Sequence, residues 1–226
     1  PVYVTLFSVP LAVAMTAFVH LLNNVFKWTF LHQHQDKKIL VHFGLPALAA
    51  AVAGASCLIF FAHLKPLLSY SLAGQVHHVT FLKLVAALLM ILFATLETKP
   101  EYGKVLNRLP LFAGGILSGF FGGLTGHQGA LRSLFLLRGS ASKESYLATS
   151  VTIACLVDLG RLLVYSAHFK AVLSVPVIFL ITPAAGALLG AWIGRSFLTK
   201  MDLQKIKVLV LFSLYGISLG LATGML

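Results

Sequence analysis

Acidic side chains are scarce in this chain: six Asp and Glu stand against 17 Lys and Arg. Paired carboxylates for acid–base hydrolysis therefore have little to be built from. Cysteine is nearly as scarce. Cys57 and Cys155 both fall in apolar segments, where they read as small packing residues rather than a disulfide or a metal centre. Histidines occur in HQH and HH pairs at 32–34 and 77–78, but no carboxylate or thiolate stands at ligand spacing beside them, so no metal is expected. No phosphate-binding loop, HExxH helix or serine elbow is present, which argues against ATP use, metalloprotease and serine chemistry. No cofactor motif occurs either. The expectation is a non-enzyme without a cofactor. Before the first apolar run there is no charged n-region of a cleavable signal, and a chain opening on Pro1 without Met reads as part of a longer product.

Charged residues make up only 10% of the chain, against roughly 25% in soluble domains. Hydrophobic residues supply 58%, and the mean hydropathy is +0.93. Apolar segments run over 2–31, 39–63, 81–96, 110–126, 129–138, 145–167, 173–194 and 206–225. The class is all-α: a polytopic integral membrane protein whose first partner is the lipid bilayer. In a soluble protein the formal charge of +11 would suggest nucleic acid; here no nucleic acid is expected. The basic residues lie mostly in short loops, as topological bias and lipid headgroups demand. A funnel for anions is the functional addition.

One stretch departs from the pattern. Leu111 to Gly139 is apolar, yet glycine recurs at 114, 115, 119, 122, 123, 126 and 129, and His127, Gln128 and Arg132 sit near its middle. A lipid-facing helix has no use for that combination. Irregular backbone at membrane depth survives only where protein buries it or where it lines a wet cavity. Two short half-helices meeting at 126–129 satisfy that condition and aim N–H groups at a small anion.

Charge placement tests this reading. With 110–126 crossing the membrane, the loop cations divide six against nine, which decides nothing. With 110–138 as a re-entrant hairpin, Lys37, Lys38, Lys99, Lys104, Arg108, Arg138, Lys143, Arg195, Lys200, Lys205 and Lys207 share one face. Lys65, Lys83 and Lys170 take the other. Eleven against three favours the hairpin, with the richer face cytoplasmic.

An internal repeat agrees. AVAMTAFVHLLNNVFK (12–27) lies over YLATSVTIACLVDLGR (146–161), with Asn24 on Asp158 and Lys27 on Arg161. GLPALAAAVAGA (44–55) resembles ITPAAGALLGAWIG (181–194), with Pro46 over Pro183. Under the hairpin topology the copies are inverted, a common plan for secondary carriers. The expected division is an N-terminal repeat over 1–108, incomplete at its start, and a C-terminal repeat over 109–226.

The order of glycine-rich hairpin, RGSASKESYLATSVTIA and Pro183-centred helix resembles the sulfite exporter TauE/SafE family of membrane permeases. Leu109 to Leu226 is similar to a whole repeat of that family, while the first half lacks its own glycine-rich hairpin. The resemblance implies transport of sulfite, organosulfonates or related small sulfur-containing anions, and a cell-membrane location, in bacteria the inner membrane. The hairpin tip, TGHQGALRS, departs from the family's plainer glycine run followed by proline, which leaves the particular anion open.

The substrate-binding set expected from these patterns is Gly122, Gly123, Gly126, His127, Gln128, Gly129, Arg132, Asn24, Asp158 and Arg161. Arg132 either chelates two oxygens of an anion or snorkels to the cytoplasmic face. His127 and Gln128 either cap the broken helices or touch substrate, with His127 changing protonation. The glycines either allow close packing or expose N–H donors. Asp158 and Arg161, three apart on one helix face, either lock each other or couple protons. The expected function is alternating-access secondary transport of small sulfur-containing anions, with possible proton coupling, by a monomer or homodimer. The alternative is an anion channel or a non-catalytic membrane subunit of a larger complex.

Overall fold

Ser8 and Pro10 open the first helix, α1 (Val9–Leu31); proline suits a first turn because its missing N–H would have had no intrahelical partner. The structure, a computed structural model, describes residues 3, 6–72, 74–98, 109–126, 129–139, 142–168, 175–198 and 203–226. After a single 3₁₀ turn (His32–His34), α2 runs over Lys37–Ala62. Asp36 caps it, its Oδ1 accepting from the amides of Lys38 at 2.8 Å and Ile39 at 3.1 Å. Residues Leu40–Gly44 of α2 form a π turn. Pro46 follows it, and the wider turn accommodates a residue that can neither donate nor tolerate the carbonyl four residues back.

A two-stranded antiparallel hairpin, β1 (Leu68–Leu72) and β2 (Gln75–Val79), comes next, with Gly74 at φ 78° in its turn. The helices that follow are α3 (Phe81–Thr98), α4 (Leu111–Thr125), α5 (Gly129–Gly139), α6 (Lys143–His168), α7 (Ile178–Leu198) and α8 (Leu203–Thr223). Among the described residues, three helical stretches are long and apolar enough to cross a membrane: Val9–His34, Lys37–Ala62 and Lys143–Ser166. The hairpin is absent from the apolar-segment expectation. It is pinned to α8: Tyr70 Oη donates to Thr223 O at 2.6 Å, and Lys83 Nζ donates to the carbonyls of His78 at 3.0 Å and Gly224 at 3.4 Å.

Glycine decides how the helices pack. On α4, Gly115, Gly119 and Gly123 lie directly against the backbone of Phe43, Ala47 and Ala51 on α2, and Gly54 of α2 meets the Phe120 carbonyl in return. A Cβ at any of these positions would overlap main chain. Small residues four apart let helix axes approach where no water-driven force pushes them together. Gly114, on a neighbouring face, makes room for the Phe135 ring of α5. α6 packs between α1 and α2, while α3 pairs with α8. One apolar cluster joins Leu58, Met90, Phe93 and Tyr165; a second joins Phe43, Ala47, Phe135, Ile153 and Val157.

Candidate functional site at the broken helix

α4 stops at Gly126, whose φ of 82° and ψ of −5° are left-handed. Its N–H donates to the Gly122 carbonyl at 2.9 Å. A Cβ there would be strained, and it would stand 2.9 Å from Arg161 Nη1. Glycine is therefore required twice at this position. α5 starts three residues later, at Gly129, beside open space. The segment expected to break at 126–129 is two helices that pack against each other.

Carbonyls at the end of α4 have acceptor capacity to spare, since few or no helical amides lie beyond them. α6 supplies donors from one face. Arg161 Nη1 donates to the Gly122 carbonyl at 3.2 Å, and the Tyr165 hydroxyl donates to the Gly123 carbonyl. A cation at this end also opposes the partial negative charge of the helix dipole. Arg161 Nη2 bonds Asp158 Oδ1 at 2.7 Å with both side chains fully buried. The other carboxylate oxygen, Oδ2, accepts from Asn24 Nδ2 of α1 at 3.2 Å. Asn24, Asp158, Arg161 and Gly122 thus form one chain of bonds from α1 through α6 to the tip of α4. This geometry favours the locking alternative for the Asp158–Arg161 pair.

Arg132, the fourth residue of α5, is half-buried, and its Nε donates to Ser150 Oγ of α6 at 2.9 Å. It lies within electrostatic range of Asp158. On either side of Ser150, two further hydroxyls of α6 fasten the chain before α2. Thr149 Oγ1 accepts from the Asp36 amide at 2.8 Å, and Thr152 Oγ1 donates to Gln35 Oε1 at 3.1 Å. His127 and Gln128 lie outside the described residues.

Beside the tip is a cavity of about 140 Å³. Leu124, Thr125 and Gly126 close one side; α1 contributes Val9, Ala12, Val13, Thr16 and His20; α3 and α8 contribute Leu82, Ala86, Met90, Ile217 and Leu221. Of the expected set, Gly126 lines this space. Gly122, Asn24, Asp158 and Arg161 belong to the bonded chain described above, and Gly123 is held by Tyr165. Three contributors were not among the expected site residues: Thr16, His20 and Tyr165. Their signal is periodicity, because Thr16, His20 and Asn24 recur every fourth residue on α1, and Tyr165 stands four beyond Arg161.

The profile of the family described as Sulfite exporter TauE/SafE matches residues 1–221. The chain belongs to that family. Nearly the whole length is covered, so the resemblance first carried by the glycine hairpin and the 138–154 motif extends across both halves. TauE/SafE proteins are membrane permeases, which agrees with the spanning helices and with a membrane location. Neither a search among curated proteins nor one among solved structures returns a significant match.

Proposed function

We propose that this TauE/SafE protein is a secondary transporter that moves small sulfur-containing anions, such as sulfite or organosulfonates, by alternating access. The observation that carries the reading is the break at Gly126: a helix end held by buried donors, opening beside a cavity, in a chain with few acids. Anions are favoured there by the N-terminal amides of α5 and by Arg132, with His127 and Gln128 orienting the bound group. Arg161 and Asp158 position the tip. The anion lies on the tip's open side, and the lipid bilayer encloses the whole.

The two halves, 1–108 and 109–226, act in this reading as inverted copies, with 110–138 as the re-entrant hairpin. Supporting that assignment, elements expected to be equivalent meet one another. α1 packs on α6 and α3 on α8, and the contact of α1 with α7 repeats that of α6 with α2. The Asn24–Asp158 bond joins two positions that the repeat superposes. Because Gly115, Gly119 and Gly123 lock α4 of the second half onto α2 of the first, the bodies that rock about such an axis to expose the site alternately draw helices from both halves.

Isothermal titration of purified protein with sulfite tests the site. Arg132→Ala is expected to weaken binding at least tenfold, the scale of one lost charge-assisted bond. Unchanged sulfite affinity in that variant would remove Arg132 from the site. Proton coupling rests on Asp158 and His127; Asp158→Asn transporting with an unaltered pH profile in proteoliposomes would exclude the carboxylate.

A further inference from the structure

We infer that His20 is the group that takes up a proton together with the transported anion. The inference rests on the transport reading above and deepens it by assigning the proton site. Among the described residues lining the cavity beside the tip, His20 alone carries an ionisable side chain. It keeps accessible surface and makes no hydrogen bond among the described residues, so its ring nitrogens are open to a proton. Asp158 is placed differently. Both its oxygens are bonded, to Arg161 and to Asn24, and neither member of the ion pair has accessible surface. Protonating Asp158 would leave a buried guanidinium without its counter-charge, which costs more than charging a ring that water can reach.

The wall around the ring suits a proton. Thr16 and Thr125 share the lining with His20, and each hydroxyl donates to its own helix, to the Ala12 carbonyl at 2.7 Å and the Phe121 carbonyl at 3.0 Å. With those protons committed, both oxygens serve as acceptors, for water or for an imidazolium N–H. A second cavity, of about 260 Å³, shares Val9 and Leu82 with the first and extends to Ser8, Thr80 and Lys83 at the starts of α1 and α3. Protons reach His20 by that route.

Charge couples the proton to the anion. His20 lies within electrostatic range of Asp158 and Arg161 of α6, Arg132 of α5 and Lys27 of α1 itself. Among the described residues, α3, α4 and α8 present no ionisable group to the cavity. Asp158 and Arg161 offset each other, so Arg132 and Lys27 leave an excess that opposes a third positive charge. An anion held by Arg132 removes that opposition. A proton then passes from water to a ring nitrogen of His20, and by linkage the proton tightens the anion to the same degree.

The test is titration calorimetry of the purified full chain with sulfite and with methanesulfonate, in buffers that differ in ionisation heat, over about pH 5 to 8. The parent should take up a proton with the anion. Its affinity for methanesulfonate should fall by up to about tenfold per unit rise in pH, wherever the bound form holds a proton that the free form lacks. His20→Gln should lose that uptake and keep one methanesulfonate affinity across the range. Comparing the two proteins with the same anion cancels whatever protons the anion itself carries. Equal uptake in His20→Gln overturns the assignment and leaves anion transport standing. Absence of binding by both anions overturns the transport reading itself. If His20→Gln does not fold, His20→Asn replaces it, and a parent that takes up no proton overturns the inference without any variant.

Discussion

Gly126 and Arg161 depend on each other. The left-handed turn brings the backbone to 2.9 Å between a built Cβ and the guanidinium, so Gly126→Ala meets both conformational strain and a charged group with no free room. A loss of about 1–2 kcal/mol is expected, read as a lower midpoint of thermal unfolding in detergent. Arg161→Met is the harsher change. It leaves Asp158 buried without its guanidinium and strips a donor from the Gly122 carbonyl, and breaking one partner of a buried ion pair costs about 3–5 kcal/mol. The double variant Asp158→Asn, Arg161→Met should recover part of that loss. If the double variant is no more stable than Arg161→Met, the pair is not the lock described here. Position 165 offers a milder probe, since Tyr165→Phe removes only the hydroxyl that reaches the Gly123 carbonyl, and about 1–2 kcal/mol is expected.

Among the elements, the α2–α4 seam sets the tolerance to substitution. Gly119→Ala places a methyl on the Ala47 carbonyl, where the obstruction is main chain and cannot swing aside. Overpacking of this kind costs about 1–3 kcal/mol, and size-exclusion profiles should show loss of the monodisperse peak. Gly129→Ala, which meets open space, should elute unchanged. The break itself was legible in the sequence because glycine, histidine and arginine inside an apolar run have no lipid-facing explanation. The β1–β2 hairpin was not legible. Its strands are short, polar residues are mixed through both of them, and an argument built on apolar length passes over such segments. His20 was missed because one histidine on an apolar helix carries no chemistry until its neighbours are known. Tyr165 was missed for a different reason: its partner is a backbone carbonyl, and no side-chain pattern announces one. Asp158 and Arg161 were picked out by their spacing, while Asn24 as their third member was suggested by the repeat alone.

For the whole molecule, charge distribution and packing lead to separate expectations. Single cysteines placed at Lys38 or Lys143 should be reached by impermeant thiol reagents from the cytoplasmic side, and one at Lys65 from the opposite side. Labelling of Lys38→Cys and Lys65→Cys from the same side would break the topology on which the proposed inversion of the halves depends. Spin labels at Ala49 on α2 and Ile116 on α4, both exposed, should keep their separation when an anion is added. Labels at Leu88 on α3 and Leu163 on α6, also exposed, should change theirs.

Where main chain rests on main chain, as along Gly115, Gly119 and Gly123, no side chain remains to act as a cushion. Interlocked surfaces of that kind neither slide nor tilt by small steps; they stay registered or come apart. Whatever swings during a transport cycle must then carry α2 and α4 as a single lever, and the compliance has to be found where larger, softer side chains separate the helices.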